Sequence, residues 1–263
     1  MSRFSHLGLC LAFASLVLAS PRAARADLRT IRAFDSIVWS SFGGHYLDFE
    51  DDETTYPDTS EGWLPSFALG ISNLYQNDWY LSFDAAASWS TTDYNGHYFY
   101  DPTRPLEDRP TENLTTFDVK LGKGFAWGED AMVMPYADLG FRFWNRDFWY
   151  QPTKYYETFQ ILAGVRVQYS PLDDVVLTGY GAAGTSFASQ MTMNEVDYDL
   201  GDGPVIKVGG KIGYAASERV EVFAALDMER FDFGRSEPRL GYYEPGSTTT
   251  STSLRAGIAY RLK

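Results

Sequence analysis

Apolar and polar residues alternate with a period of two along much of this chain, a beat that restricts it to β-strands oily on one side only. From Trp79 the odd positions read Trp79, Leu81, Phe83, Ala85, Ala87 and Trp89, and the even ones Tyr80, Ser82, Asp84, Ala86, Ser88 and Ser90. The same beat sets Phe117, Val119 and Leu121 against Asp118, Lys120 and Gly122, and Leu139, Phe141 and Phe143 against Asp138, Gly140 and Arg142. It recurs in Phe159, Ile161, Ala163, Val165 and Val167 against Gln160, Gly164, Arg166 and Gln168. A helix, with its period of about 3.6, would smear the two sets over all its faces.

A second regularity gives the strands their direction. A glycine is followed five residues later by an aromatic in Gly70 and Tyr75, Gly122 and Trp127, Gly164 and Tyr169, and Gly209 and Tyr214. Gly257 is followed by Leu262, with Tyr260 two places earlier. Each of the first four pairs runs into a short polar turn. Five is odd, so glycine and ring point to opposite faces of a strand. Glycine inward and ring outward just before a tight turn is how a membrane barrel strand enters its aromatic girdle. That girdle is assigned to Tyr75, Trp127, Tyr169, Tyr214 and Tyr260.

Long polar connections near 50–62, 93–114, 149–157, 191–203 and 234–250 alternate with the short ones. Five descending strands each need an ascending partner. The expected fold is therefore all-β, an antiparallel up-and-down transmembrane β-barrel of about ten strands, in one domain over residues 27–263. Strands are predicted at 37–49, 63–75, 79–92, 115–127, 133–147, 157–170, 175–190, 204–215, 219–233 and 251–262. Counts of eight or twelve stay open, because Trp39-Ser40-Ser41-Phe42-Gly43-Gly44 does not alternate cleanly and could hold a bulge.

A soluble barrel would also alternate, but with its aliphatic face inside. Here the greasy face is rich in Phe, Trp and Leu while the other carries charge in strand after strand, which suits lipid outside and a polar lumen. The inward charges would be Asp84, Asp118, Asp138, Glu221, Asp227 and Glu229, facing Lys120, Arg142, Arg146, Arg166, Lys207, Lys211, Arg255 and Arg261. Six acids against eight bases, in a barrel far narrower than the wide porins, read as a cross-linked plug more than an open channel.

The ends of the chain carry address signals. Arg3 and His6 precede an apolar run from Leu7 to Ala19, and Ala24-Arg25-Ala26 offers a small-x-small cleavage pattern, so residues 1–26 are expected to be a cleaved signal peptide. The only cysteine, Cys10, would go with it, as would three Arg and no acid, taking the net charge from -13 to -16. At the other end Arg255-Ala256-Gly257-Ile258-Ala259-Tyr260-Arg261-Leu262 resembles the C-terminal assembly signal of bacterial outer-membrane β-barrels, departing from its commonest form by ending in Lys263. The resemblance implies an outer-membrane location, insertion by the outer-membrane assembly machinery, and surrounding lipid and lipopolysaccharide as partners. It carries over no activity, cofactor or surface partner.

An acidic chain without a basic run excludes nucleic acid, whose phosphates demand a cationic footprint. The expected size resembles that of the omptin proteases, but the Asp-x-His pair of that family is missing: His45 lies in Gly44-His45-Tyr46 and His97 in Gly96-His97-Tyr98, with Asp93 four residues before it. No complete catalytic constellation is visible, so the chain is read as non-enzymatic, with no cofactor. Its acidic, aromatic-bearing loops would serve envelope structure or surface interaction. A narrow porin-like channel and an omptin-like surface protease are the competing readings. Glu50-Asp51-Asp52-Glu53 is a candidate cation-binding loop, since hard cations prefer clustered carboxylates.

Overall fold

Ten strands close on one another in a ring. The computed structural model describes residues 28–52, 57–98, 101–239 and 241–262. In chain order they form α1 (Leu28–Asp35), β1 (Ile37–Asp51), β2 (Thr59–Leu74), β3 (Trp79–Thr91), β4 (Asp93–Tyr98), β5 (Asp101–Asp108), β6 (Thr111–Lys123) and β7 (Phe125–Ala126). There follow β8 (Ala131–Asp147), β9 (Lys154–Leu172), β10 (Val175–Met193), β11 (Val196–Asp199), β12 (Pro204–Ala215), β13 (Val220–Phe233) and β14 (Ser247–Arg261). The wall is β1, β2, β3, β6, β8, β9, β10, β12, β13 and β14, each antiparallel to its neighbours, and β1 pairs with both β2 and β14. Closure leaves the wall no free edge, which is what lets a sheet stand in hydrocarbon. The expected signal peptide and Glu53 lie outside the described residues.

The irregular first strand is a full member of the ring. β1 pairs residue by residue from Ile37 with Arg261 to Asp51 with Ser247, and on its other flank from Ile37 with Ser72 to Glu50 with Thr59. It holds no bulge, and the count is ten. Its pattern is blurred because Gly44 sits under the outward Trp63 ring, where a Cβ would lie 3.0 Å from it, while Trp39 turns inward over Gly70. The long connections are shorter than expected at several points. β2, β6, β9 and β14 begin at Thr59, Thr111, Lys154 and Ser247, and the connection at 93–114 is largely the β4–β5 hairpin. Ser247-Thr248-Thr249-Thr250-Ser251 holds no apolar residue to reveal a strand, yet its backbone is paired on both sides, to β1 and β13.

The outer surface is the oily one. Phe83, Leu139 and Ile161 are half exposed there, whereas Arg142 and Arg146 are 1% exposed inside. The inward glycines of the girdle motif have a structural cause. Trp39, Tyr136, Tyr180 and Phe223 stand directly across from Gly70, Gly164, Gly209 and Gly257 on neighbouring strands and lie over them. A Cβ on Gly257 would sit 2.4 Å from the Phe223 ring. The outward rings Tyr75, Trp127, Tyr214 and Tyr260 are well exposed and Tyr169 partly so. Trp127 lies just past β7, because β6 stops at Lys123.

The bore is filled at both ends by apolar side chains. At the short-turn end α1 turns inward, and Ile31 and Phe34 pack against Leu74, Tyr80, Met132, Met134 and Val176. Burying these two side chains contributes roughly 1.5–3 kcal/mol each. At the long-loop end Leu47, Phe49, Leu64, Trp144, Tyr156, Met191, Phe231 and Phe233 meet in one cluster inside the ring. The inward face is thus most densely charged in its middle layers, while its long-loop end combines this apolar cluster with the buried Glu112–Arg146 pair.

Candidate functional site in the barrel bore

Between the two apolar ends lies a layer of charge on the inward positions of the strands. Lys120 Nζ is 2.5 Å from Asp84, Arg142 2.6 Å from Glu229, Lys207 2.7 Å from Asp118 and Lys211 2.7 Å from Glu221. Arg255 is bonded to Asp227, which also accepts from Tyr180 Oη at 2.6 Å. Two of these pairs span the bore. Lys207 on β12 and Asp118 on β6 stand four strands apart around the ring of ten, and so do Arg142 on β8 and Glu229 on β13. A strut that joins opposite walls occupies the path a solute would need.

Two members of this network fall outside the alternating segments read from sequence. Asp35, the last residue of α1, accepts from Arg166 at 2.6 Å and from Gln168 at 3.0 Å. Glu112 is fully buried and accepts from Arg146 Nε at 3.2 Å, Trp144 Nε1 at 2.7 Å and Thr92 Oγ1 at 3.0 Å. They bring the acids to eight against the same eight bases. The excess of two bases was the available signal that carboxylates from elsewhere must enter, because a buried cation without a counter-charge is too costly to keep. Arg261 has no carboxylate partner at ion-pair distance among the described residues; its guanidinium lies 4.2 Å from the Phe34 ring centroid.

Within the middle layer lies a cavity of about 270 Å³, lined among others by Asp84, Asp138, Tyr136, Ser88 and His45. His45 shares a hydrogen bond with Ser253 Oγ at 2.8 Å. Asp138 is 1% exposed, and Lys207 Nζ is 3.5 Å from it. Neither Asp138 oxygen has a hydrogen-bond partner among the described residues. The unfilled Asp138 oxygens facing this space suit ordered water.

The long-loop end is tied down by a second polar cluster. Glu244, in the connection between β13 and β14, accepts from Lys154 Nζ at 2.9 Å, from Tyr242 Oη at 2.5 Å and from Tyr156 Oη. Tyr242 stacks edge-on against Tyr198 of β11, and Gly201 exchanges backbone hydrogen bonds with Gly234. Burial alone would raise the Glu244 carboxyl, but Lys154 and the two tyrosine hydroxyls outweigh it and hold the group below the usual Glu range. A carboxyl depressed on folding contributes stability that is complete above its unfolded value of about 4.3 and is lost as the pH falls through the lower folded value. Urea unfolding of the wild type should therefore lose more stability between about pH 5 and pH 3 than that of Glu244→Gln, and equal losses in the two would contradict this.

Asp93, His97 and Asp51, singled out in the sequence, find partners of their own. Asp93 pairs with Arg109 at 3.0 Å and not with His97. The carboxylate beside His97 is Asp58, at 3.2 Å, which also accepts from Tyr94 Oη at 2.5 Å. Burial, and then the Asp58 carboxylate, raises the Tyr94 hydroxyl far above its ordinary value, so Tyr94 stays a donor. Glu50 and Asp51 belong to β1 and point to opposite sides of it, and Asp51 Oδ1 accepts from the Asp58 amide at 3.0 Å. Among the described residues no group of three or more His, Cys, Asp or Glu is placed to hold a metal ion. Alternation along the strand separates Glu50 from Asp51, and Glu53 of the candidate cation loop lies outside the described residues.

No family model matches the chain, and no curated protein is similar to it in sequence. Solved structures do match in shape. The outer membrane protease OmpT from Escherichia coli is 9% identical, with 87% of this chain and 97% of that one covered and a TM-score of 0.58. The beta domain of the Bordetella autotransporter BrkA, at 11% identity, covers 86% of this chain and 99% of its own with a TM-score of 0.40. The outer membrane protein OprG from Pseudomonas aeruginosa, also at 11%, covers 86% and 96% with a TM-score of 0.38. At such identities the likeness to OmpT is one of fold, and that fold is the closed barrel of bacterial outer-membrane proteins.

Proposed function

We propose that this chain is a non-enzymatic, non-conducting outer-membrane barrel, delivered by a cleaved signal peptide, whose outer loops serve envelope structure or surface interaction. The observation that carries this reading is the pair of ionic struts across the bore, Lys207 to Asp118 and Arg142 to Glu229, set between two apolar closures. Lipid and, on the outer leaflet, lipopolysaccharide surround the oily wall, and the outer-membrane assembly machinery inserts it by way of β14. The long-loop end then faces outward, with Trp149 and Tyr150 on its exposed surface. Purified protein in planar bilayers should show no single-channel steps, and steady, reproducible steps would overturn the reading. Peptide turnover should be absent. Turnover that disappears in His97→Ala would replace this reading with a surface protease built on Asp58 and His97.

A further inference from the structure

The two ends of the bore are closed by different kinds of structure. At the long-loop end the closing side chains belong to the wall strands themselves and to connections clasped through Glu244 and the Gly201–Gly234 bridge. They can leave only if the wall opens. At the short-turn end the closing element is α1, which is not part of the sheet and is joined to β1 by Ser36 alone. Ser36 is pinned: its carbonyl accepts from the Leu262 amide at 2.7 Å, and its hydroxyl oxygen accepts from the Leu74 amide at 3.3 Å. Beyond that fixed point, α1 is tied by side-chain contacts: Asp35 to Arg166 and Gln168, Arg32 to Asp78 at 2.7 Å, and the packing of Ile31 and Phe34.

We infer that α1 is a hinged plug, pivoting at Ser36 and latched by the Asp35–Arg166 ion pair, that opens the central cavity to solvent at the short-turn end only. The wall residues it would uncover include Arg166, Gln168 and Arg261, which water can solvate, so departure does not strand charge in lipid. The cavity behind it holds polar groups, Asp138 first among them, whose hydrogen-bonding capacity the neighbouring side chains leave unfilled, and exchange with solvent through this end supplies it. The Asp35 carboxylate belongs to α1 and moves with it, so the latch and the plug are one element.

The test uses full-length protein folded in detergent, with Cys10 replaced by alanine and a single reporter, Ser88→Cys, in the cavity wall. A water-soluble maleimide should label the reporter slowly, and adding Asp35→Asn should speed labelling more than tenfold. Hydrogen exchange should show the amides of residues 28–35 released by the same factor while those of β9 and β10 keep their protection. Labelling unchanged within threefold, or α1 amides exchanging only together with the strands, would overturn the inference. Should Asp35→Asn fail to fold, Arg32→Ala loosens the same helix from its half-exposed side and is read against the same thresholds. Neither variant should conduct in planar bilayers, because the long-loop closure does not involve α1. Conduction by either variant would overturn the inference that the cavity opens at the short-turn end only.

Discussion

Replacing Arg146 by alanine should lower the unfolding free energy of the barrel by about 3–5 kcal/mol, the range for breaking a buried ion pair from one side. Arg146 and Glu112 are 1% and 0% exposed, and removing the guanidinium leaves a carboxylate sealed inside the ring. Arg146 also lies 4.2 Å from the Phe49 ring centroid and 4.9 Å from that of Trp144, so the loss includes stacking as well as charge. Glu112→Ala should cost as much, since it orphans Arg146 and the Trp144 indole together. The double variant Arg146→Met/Glu112→Met should recover more than half of either loss, because apolar groups of similar volume need no counter-charge. Urea titration of protein folded into lipid vesicles measures all three against the wild type. Single losses below about 1 kcal/mol would mean that solvent reaches this pair and the long-loop end is not sealed.

The second large effect lies on the outside. Ile161 is 53% exposed near the middle of β9, between Leu139 across the strand pair and Phe159 two residues back. Ile161→Arg should destabilise the vesicle-folded barrel by about 2–4 kcal/mol, as expected for a guanidinium near the bilayer midplane. Trp127→Arg, in the girdle past β7, should cost only about 0–1 kcal/mol, because the charge there reaches the interface. If the two substitutions cost the same, the half-exposed surface faces water and the chain does not span a membrane.

Legibility of the fold followed the lipid belt. Where a strand crosses hydrocarbon, one face must be apolar and the other must not, and β3, β8 and β9 announce themselves by alternation. Above the belt that constraint lapses. The serine–threonine start of β14 and the approach of Glu112 into β6 are held by pairing with neighbours in the ring, so the predicted boundaries fell short there. The inward apolar set at the long-loop end, with Trp144, Tyr156 and Met191, was hidden for a related reason. Those residues sit at inward parity, and only their convergence from several strands shows that they fill the bore instead of lining a passage.

The candidate site divides in the same way. Parity along single strands was enough to name the fourteen inward charges, because period two is a local property of the backbone. Which charge meets which is a property of the closed ring. Lys207 finds Asp118 across the bore, His97 finds Asp58 and not Asp93, and Arg166 finds a carboxylate carried in by a helix. The architecture, the oily outer face and the positions that turn inward were legible along single strands, since each follows from neighbours two residues apart. That the bore is shut, and by what, emerges when the ring closes, because closure brings together residues about 90 to 130 positions apart that no local pattern relates.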